Sequence, residues 1–397
     1  MKFVSVVLLL LFSWSAFAED MPDPEEDIFL ALEEIQSTHL DQAAHRLKSL
    51  LQREPDFKLA QLLYGDILKA RTRGLHNPGQ AIKDTSQLDP LLQEARLRFA
   101  AKLNNKPYDR IPAPLLWVDS SIKNVILVDL SQSRLYVMSN QSGIPKLTSD
   151  YFVSMGRGGP SKEKSGDLKT PLGVYFVQNY IPQEQLADKY GAGAYPLNYP
   201  NAWDRMQGRT GSGIWLHGTR SGTYNRPPLA SEGCVVLPNR NLLKVGARIT
   251  QGETPVIIGE NIQWLSQQQW REQSQQYHQR VQGWVNDWQD LDVNAYLQHY
   301  SKQFNNGHFT YASWSQHKQR VSRVKQFIHV KLSHLSIYHH PDADLFVATF
   351  QQDYQSNNYT SLSWKRQYWK KDADGVWRII YEGRIEPPKD RLQLVRR

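Results

Sequence analysis

Apolar residues recur at helical spacing along the N-terminal part of the chain. Within residues 25–103 they form two such faces, one on either side of Pro55. Apolar side chains three and four positions apart share one side of a helix, and a proline ends it. The pattern therefore predicts a helical N-terminal region over residues 25–105 that contains a helical hairpin.

Short apolar runs replace the helical pattern after the proline-rich stretch 107–114, which is predicted to be a stiff linker. Runs of this length, bounded by turn residues, are typical of strands. Long loops rich in glycine, proline and asparagine lie between them at 156–171 and 190–213, and such loops are usually functional or disordered. We expect a β-rich domain over residues 120–260. Its predicted strands are 124–130, 134–138, 151–155, 173–177, 214–217, 234–237 and 255–258.

A third pattern begins after the glutamine-rich helical stretch 264–277. Apolar and aromatic residues between positions 281 and 300 predict an amphipathic helix pair. Strand patterns follow at 327–338, 344–354, 362–370 and 375–382. Helices followed by strands in one segment indicate an α+β domain, here over residues 275–390. The whole chain is thus predicted to be an α+β multidomain protein.

The first residues have the pattern of a secretory signal peptide. Lys2 precedes an apolar run from Val4 to Phe12, and Ala16-Phe17-Ala18 supplies a small-x-small cleavage site. The run is too short to span a bilayer. No cysteine follows it for lipid attachment, and no later stretch is apolar enough to cross a membrane. We expect a signal peptide at residues 1–18 and a soluble periplasmic product without a transmembrane anchor.

Charge and histidine spacing add little to this picture. The net charge is +8, which steers a protein only weakly toward anionic polymers or membrane surfaces, and a merely solvated basic surface is the favoured explanation. In the periplasm no nucleic-acid partner is expected. His334, His339 and His340 do not have the spacing of a metal site. No metal and no cofactor are predicted.

The single cysteine, Cys234, carries the candidate chemistry. One thiol cannot form an internal disulfide, so it is a packed side chain, an intermolecular link or a nucleophile. Cys234 begins one predicted strand and His217 ends another, and strand ends beside loops hold catalytic groups rigidly. A thiol of pKa about 8.5 can lose its proton to a neighbouring imidazole. Gly233 would permit a tight turn and leave its own N–H and that of Cys234 free for an oxyanion.

The sequences His217-Gly218-Thr219 and Ser231-x-Gly233-Cys234 resemble the signature of the L,D-transpeptidase (YkuD-type) family over about residues 122–259. The family implies an attack on the bond between diaminopimelate and D-alanine in a peptidoglycan stem peptide, through a cysteine thioester. An amine acceptor then gives a cross-link, whereas water gives carboxypeptidase trimming. The resemblance implies Cys234 as the nucleophile, His217 as the general base and Thr219 as a residue that orients the imidazole. Further matches are Thr170-Pro171-x-Gly173 before a strand, the 123–138 hairpin, and Gly156 with Lys169.

Two positions depart from the family pattern. Glu232 stands where the family usually has histidine, and Val236 where it usually has arginine or asparagine. The cation for a substrate carboxylate would then come from Arg220 or Arg226. Glu232 either holds His217 in its productive tautomer or faces solvent. The remaining substrate-binding candidates are Ser231 and the loop aromatics Tyr199 and Trp203, for which packing within the loop is the alternative.

The flanking regions carry looser resemblances. The N-terminal hairpin resembles a tetratricopeptide-type repeat, and one repeat cannot form a solenoid. It is therefore either a cap or homodimerisation element, or an arbitrary helical extension. Residues 275–390 resemble the nuclear-transport-factor-2-like (NTF2-like) cone, for which we expect binding or docking of an unidentified ligand. The domain order is similar to that of cell-shape-determining L,D-carboxypeptidases.

Three functional hypotheses follow. An L,D-transpeptidase acting on peptidoglycan stem peptides comes first, and an L,D-carboxypeptidase is its alternative within the same chemistry. A non-catalytic wall-binding protein is the alternative of another class. A papain-like peptidase is disfavoured, because there the cysteine begins a helix and the histidine lies downstream.

Overall fold

The computed structural model of the protein describes residues 23–73, 88–103 and 108–387. The predicted signal peptide lies outside these ranges. None of the described helices combines the length and apolar character needed to cross a membrane.

The N-terminal region is helical, as its pattern predicts. Its helices are α1 (Pro24–Gln36), α2 (Leu40–Arg53), α3 (Lys58–Arg73) and α4 (Leu88–Leu103). Asp23 caps α1 by accepting a hydrogen bond from the Glu25 N–H, and Pro24 occupies its first turn. Pro55 lies in the turn between α2 and α3. The apolar faces meet in a core that includes Ile28, Leu47, Leu50, Phe57 and Leu62.

The central region consists mainly of strands. They are β1 (Ile111–Pro112), β2 (Leu115–Trp117), β3 (Asn124–Asp129), β4 (Arg134–Gln141), β5 (Ile144–Phe152), β6 (Met155–Gly156), β7 (Gly173–Phe176), β8 (Ile181–Pro182), β9 (Gly193–Pro196), β10 (Trp215–His217), β11 (Leu229–Ser231), β12 (Val235–Val236), β13 (Pro255–Gly259) and β14 (Trp264–Leu265). Two helices, α5 (Ala202–Met206) and α6 (Asn239–Gly246), interrupt them.

Two sheets of the central region face each other across one core. The first has the order β5-β4-β3-β13-β7 and the second the order β12-β10-β9-β8. In the first sheet β13 pairs in parallel with β3, and its burial is continuous, as expected of a strand covered on both faces. Ile126, Val256, Leu216 and Val235 belong to the core between the sheets. This core supports the strand ends that carry the predicted site.

The C-terminal region folds as helices against a curved sheet. Its helices are α7 (Gln267–Gln289), α8 (Val293–Gln298) and α9 (Tyr311–Ser322), and its strands are β15 (Ile328–His339), β16 (Leu345–Ser356), β17 (Tyr359–Lys371) and β18 (Trp377–Arg384). Ser266 and Gln269 form a capping box at the start of α7. The β15 ladder shifts register between Ser333 and Ser336, which increases local twist and bends a strand. The α+β multidomain prediction is confirmed.

The segment predicted as a stiff linker is structured in part. Its residues 111–112 form β1, which pairs with β14, and the residues just after it form β2, which joins the edge of the C-terminal sheet beside β15. Apolar residues of the central and C-terminal sheets, among them Leu127, Tyr338 and Tyr368, share one buried cluster. The linker expectation is wrong at residues 111–112, because their backbone pairs with β14.

Candidate active site

His217 ends β10, and Cys234 directly precedes the neighbouring strand β12. Strands β10 and β12 are parallel, with Leu216 opposite Val235 and His217 opposite Val236. Side chains alternate between the faces of a sheet, and opposed residues point to the same face. Because Leu216 and Val235 both enter the core, His217 and Cys234, which directly precedes β12, belong to the other face.

The imidazole of His217 is held as a neutral base. Its Nδ1 lies 2.7 Å from the carbonyl oxygen of Gly218. The carbonyl can only accept, so Nδ1 carries the proton and Nε2 keeps its lone pair. The pKa of His217 is lowered to about 4, mainly by burial and also by the charges of Arg226 and Lys189, while the hydrogen bond to the Gly218 carbonyl opposes this shift. The edge of the ring meets the Tyr190 ring at a centroid distance of 5.1 Å.

The thiol of Cys234 is protonated at neutral pH. Its side chain is buried, with 9% of the residue exposed, and Sγ donates to the Gly213 carbonyl at 3.2 Å. Burial raises the pKa of Cys234 to about 11, although a hydrogen bond from the Trp215 backbone and the charges of Arg226 and Lys189 lower it. The resting pair is therefore a neutral thiol and a neutral imidazole. This environment disfavours the thiolate, so the thiol has to lose its proton as it attacks the substrate.

Gly233 shapes the turn before the thiol, but its N–H is occupied. Its φ of +123° lies in the region that favours glycine, and an added Cβ would lie 2.7 Å from the Lys169 carbonyl oxygen. The N–H donates to Ser231 Oγ at 3.1 Å, and that hydroxyl donates to the Cys234 carbonyl at 2.6 Å. Among the described residues no acceptor is found for the Cys234 N–H. The sequence predicted two free N–H donors for the oxyanion. Of these two, the Cys234 N–H stays free within the described part of the chain, whereas the Gly233 N–H is bonded to Ser231 Oγ.

Thr219 is placed away from the role that the resemblance implies. Its Oγ1 donates to the Tyr224 carbonyl at 3.1 Å, which closes the loop after β10. The Gly218 carbonyl instead contacts the imidazole nitrogen. Ser231 is likewise 1% exposed and engaged within its own turn. Thr219 and Ser231 therefore support the backbone around the site and do not reach its open side.

The two candidate arginines differ in position. Arg226 is half-buried and its Nη2 donates to the Lys189 carbonyl at 3.1 Å. Its charge acts on both the thiol and the imidazole. Arg220 is exposed, and its Nε contacts Thr223 Oγ1 at 3.3 Å. The geometry thus favours Arg226 as the cation beside the site.

Lys189 and Tyr190 complete the site, and the sequence analysis missed both. They lie in the short helical turn Asp188–Tyr190 between β8 and β9. No family motif covers that turn; its only signal is a lysine beside an aromatic residue at a loop end. Tyr190 packs against Trp215 at a centroid distance of 4.8 Å, so the ring joins the turn to β10.

Glu232 faces outward. Its side chain is 69% exposed and lies 4.0 Å from Lys189 Nζ, at the limit of an ion pair. In the described part of the chain no contact joins it to His217, whose Nδ1 is already engaged by Gly218. Of the two interpretations left open by the sequence, the solvent-facing one agrees with this placement.

Tyr199 and Trp203 are part of the interior and not of an open binding surface. Tyr199 is 5% exposed, and its hydroxyl donates to the Thr210 carbonyl at 3.1 Å. Trp203 is 6% exposed and packs edge-on against His340, within the core shared with the C-terminal region. As substrate-binding residues both are wrong in this structure, because packing already covers the rings.

The C-terminal cone contains a cavity with a volume of about 770 Å³. Lys318 projects into it from α9, with Nζ between 4.3 and 5.0 Å from the ring centroids of Trp288, Trp314 and Tyr296. Burial lowers the pKa of Lys318 to about 7, while the buried carboxylate of Glu382 raises it. The cavity therefore combines aromatic walls with charges of both signs. No cluster of metal-binding side chains is found in the described ranges.

Comparisons with known proteins agree with this arrangement. The model of the L,D-transpeptidase catalytic domain matches residues 123–258, and that of the Cds6 C-terminal NTF2-like domain matches residues 276–383. The structure of Bd1075 from Bdellovibrio bacteriovorus is 30% identical, with a TM-score of 0.63, and the match covers 70% of this chain and 100% of that one. No curated protein matches the chain by sequence.

A second solved structure has a similar fold at lower sequence identity. Pgp2 from Campylobacter jejuni, described as a helical cell shape determining protein, is 24% identical with a TM-score of 0.56. The match covers 71% of this chain and 97% of Pgp2. The fold and the site define an enzyme of the L,D-transpeptidase/carboxypeptidase kind. The chain belongs to the L,D-transpeptidase (YkuD) family and carries a C-terminal NTF2-like domain.

Proposed function

We propose that the protein cleaves the bond between diaminopimelate and D-alanine in peptidoglycan tetrapeptides, with Cys234 as the nucleophile and His217 as the general base. One observation carries the proposal: both residues belong to the same face of neighbouring strands, and Gly218 leaves Nε2 of His217 unprotonated. An unprotonated imidazole on the same face as a protonated thiol can accept its proton as the sulfur attacks. The family supplies the substrate class.

The reaction follows from these positions. Nε2 of His217 takes the thiol proton as Sγ bonds to the carbonyl carbon, and the oxyanion faces the Cys234 N–H. The C–N bond then breaks, His217 returns the proton to the departing D-alanine nitrogen, and a thioester remains on Cys234. Arg226 and Lys189 supply positive charge for the terminal carboxylate of D-alanine.

For the fate of the thioester, we favour hydrolysis over amine transfer. The thiol and the imidazole are 9% and 3% exposed. While the donor peptide occupies the site, the thioester carbonyl is enclosed. A water molecule reaches that carbonyl more easily than the amine of a second stem peptide does. The domain order, which is similar to that of cell-shape-determining L,D-carboxypeptidases, supports the same choice. The likeness to Pgp2, described as a helical cell shape determining protein, extends the proposal to a periplasmic role in cell shape. Amine transfer remains the alternative outcome.

Mass spectrometry of muropeptides after incubation with the purified protein tests this function. Loss of D-alanine from tetrapeptides without new dimers is the expected result, and new dimers would mean transfer. Cys234→Ser and His217→Asn serve as matched controls, since each removes one reacting group at similar size. Cleavage that survives Cys234→Ser would refute the assigned nucleophile.

A non-catalytic wall-binding protein is the second candidate. The raised pKa of the thiol and the separate cavity in the cone favour it. A carbapenem acylates a working site of this family and adds mass to the single cysteine. An intact protein that stays unlabelled, while it still binds muropeptides, would favour this second function.

A further inference from the structure

The loop 218–228, between β10 and β11, joins the active site to the N-terminal helices. Near its middle, Tyr224 leaves the central domain and enters the core of the helical region. Its ring lies 4.4 Å from that of Phe57, between centroids, and only 9% of the residue is exposed. An aromatic side chain buried to this extent is a strong anchor.

The next residue forms a polar anchor to the same helices. Asn225 Nδ2 donates to Glu94 Oε1 at 2.8 Å, and Glu94 is 1% exposed. Arg98 Nε holds that same carboxylate oxygen at 2.9 Å. Hydrogen bonds to a buried carboxylate are stronger than neutral ones, so this contact fixes the loop to α4.

Helix α4 is itself fixed to the central domain. The Arg98 guanidinium lies over the Phe152 ring at the end of β5, 3.9 Å from its centroid. Arg134 of β4 pairs with Glu25 of α1 and with Asp150 of β5. The helical region that holds the loop is therefore itself joined to the catalytic sheet by these contacts.

Arg226 follows these two anchors directly in the chain. Asn225 Nδ2 also donates to the Arg226 carbonyl at 3.2 Å, and Arg226 Nη2 donates to the Lys189 carbonyl at 3.1 Å. The charged groups that act on the Cys234 thiol are Arg226, Lys189 and Glu232, and His217 shares its face. The two anchors fix the backbone at residue 226. The position of that backbone determines where the Arg226 guanidinium lies.

We propose that the N-terminal helices place the Arg226 guanidinium beside the Cys234 thiol, and that Tyr224 and Asn225 are the positioning residues. The helical region is then part of the active-site scaffold, in addition to any role in dimerisation. The inference deepens the proposed function, on which it rests for the role of Arg226 toward a substrate carboxylate. Its test needs no substrate.

The rates at which iodoacetate and iodoacetamide alkylate Cys234 measure the positive charge at the thiol. Both reagents react with the same sulfur, so thiol ionisation cancels in the ratio of their rates. Only iodoacetate is attracted by a cation. Intact-mass spectrometry follows the reaction without ambiguity, because the chain has one cysteine.

Arg226→Ala is expected to lower the iodoacetate-to-iodoacetamide ratio about fivefold, the effect of one unit charge a few ångströms away in water. Tyr224→Ala should lower it about as much, and the double variant no further, since Tyr224 acts through Arg226. Tyr224→Phe keeps the ring and should retain the ratio. Leu47→Ala removes an apolar side chain of α2 from the same helical core and leaves the loop sequence unchanged, and it should also retain the ratio.

An unchanged ratio in Tyr224→Ala, with a lowered one in Arg226→Ala, would overturn the proposal. So would an unchanged ratio in Arg226→Ala itself. If Tyr224→Ala does not fold, Asn225→Ala tests the same anchor and should lower the ratio about twofold; no change there would likewise overturn it. Failure of muropeptide cleavage with the predicted ratios would instead refute only the proposed function.

Discussion

At the scale of single residues, the site pairs two neutral groups. Burial moves the pKa of the Cys234 thiol up to about 11 and that of the His217 imidazole down to about 4. A thiolate–imidazolium pair is therefore not the resting state. The sequence indicated Cys234 and His217 as the candidate pair but could not indicate their ionisation, because burial depends on how the loops close over both side chains.

The pH dependence of kcat/KM follows from the lowered pKa of His217. A base is active when unprotonated, so activity is present above its pKa and is lost as the pH falls through it. We expect kcat/KM for a tetrapeptide to hold its plateau down to about pH 5 and to fall near pH 4. A pH–rate profile checks this, with circular dichroism at each pH to confirm folding. An acid limb centred near pH 6.5 would contradict the buried, neutral imidazole.

Glu232→Gln should have little effect. The carboxylate is 69% exposed and pairs only at 4.0 Å with Lys189, and exposed ion pairs contribute little. We expect kcat/KM to stay within about threefold, with the acid limb unmoved. Thr219→Val, which removes a buried hydroxyl bonded to the Tyr224 carbonyl, is the contrasting variant. A loss of tenfold or more in Glu232→Gln, with a shifted profile, would restore the orienting role considered from the sequence.

At the scale of elements, strands and amphipathic helices could be predicted but the details of loops could not. The runs at 214–217 and 234–237 mark β10 and β12, because a buried strand needs continuous apolar residues. The turn with Lys189 and Tyr190 gives no such signal. Helix α9 was missed as well, since none of its residues is fully buried and its apolar face is broken by polar residues. The prediction that Tyr199 and Trp203 bind substrate does not agree with their buried positions, because loop aromatics pack inward as readily as they bind ligands.

Helix α9 places Lys318 inside the cone, where its charge is costly. The pKa is about 7 in the folded protein and higher when unfolded, so the unfolded chain binds more protons between about pH 7 and 10. The contribution of Lys318 to stability therefore rises with pH across that window. Lys318→Met should remove this pH dependence and raise Tm at pH 7 by roughly 2–4 °C.

Differential scanning calorimetry at pH 7 and 9 measures the Lys318 effect as the difference from the unsubstituted protein. Lys302→Met is the matched control, because Lys302 also contacts an aromatic ring, that of Tyr311, but is exposed. Its Tm difference should not change with pH. A lower Tm for Lys318→Met at pH 7 would show that the ammonium stabilises the cone.

At the scale of the whole molecule, the three regions form one connected structure. Strand β2 completes the cone sheet, a shared apolar cluster joins the cone to the catalytic domain, and Tyr224 joins the catalytic domain to the helices. The order of the regions could be predicted from changes in hydrophobic period. Their contacts could not, because no local pattern marks which residues meet across the regions, and Tyr224 looks like an ordinary loop residue in the sequence.

The mass of the acyl-enzyme tests the central claim most directly. Rapid quenching of the protein with a tetrapeptide donor, followed by intact-mass and peptide mapping, should show an adduct of the donor minus D-alanine on Cys234. The adduct should be absent from Cys234→Ser and should decay to free tripeptide. Release of D-alanine without any adduct on Cys234, or no reaction by a folded protein, would contradict the account.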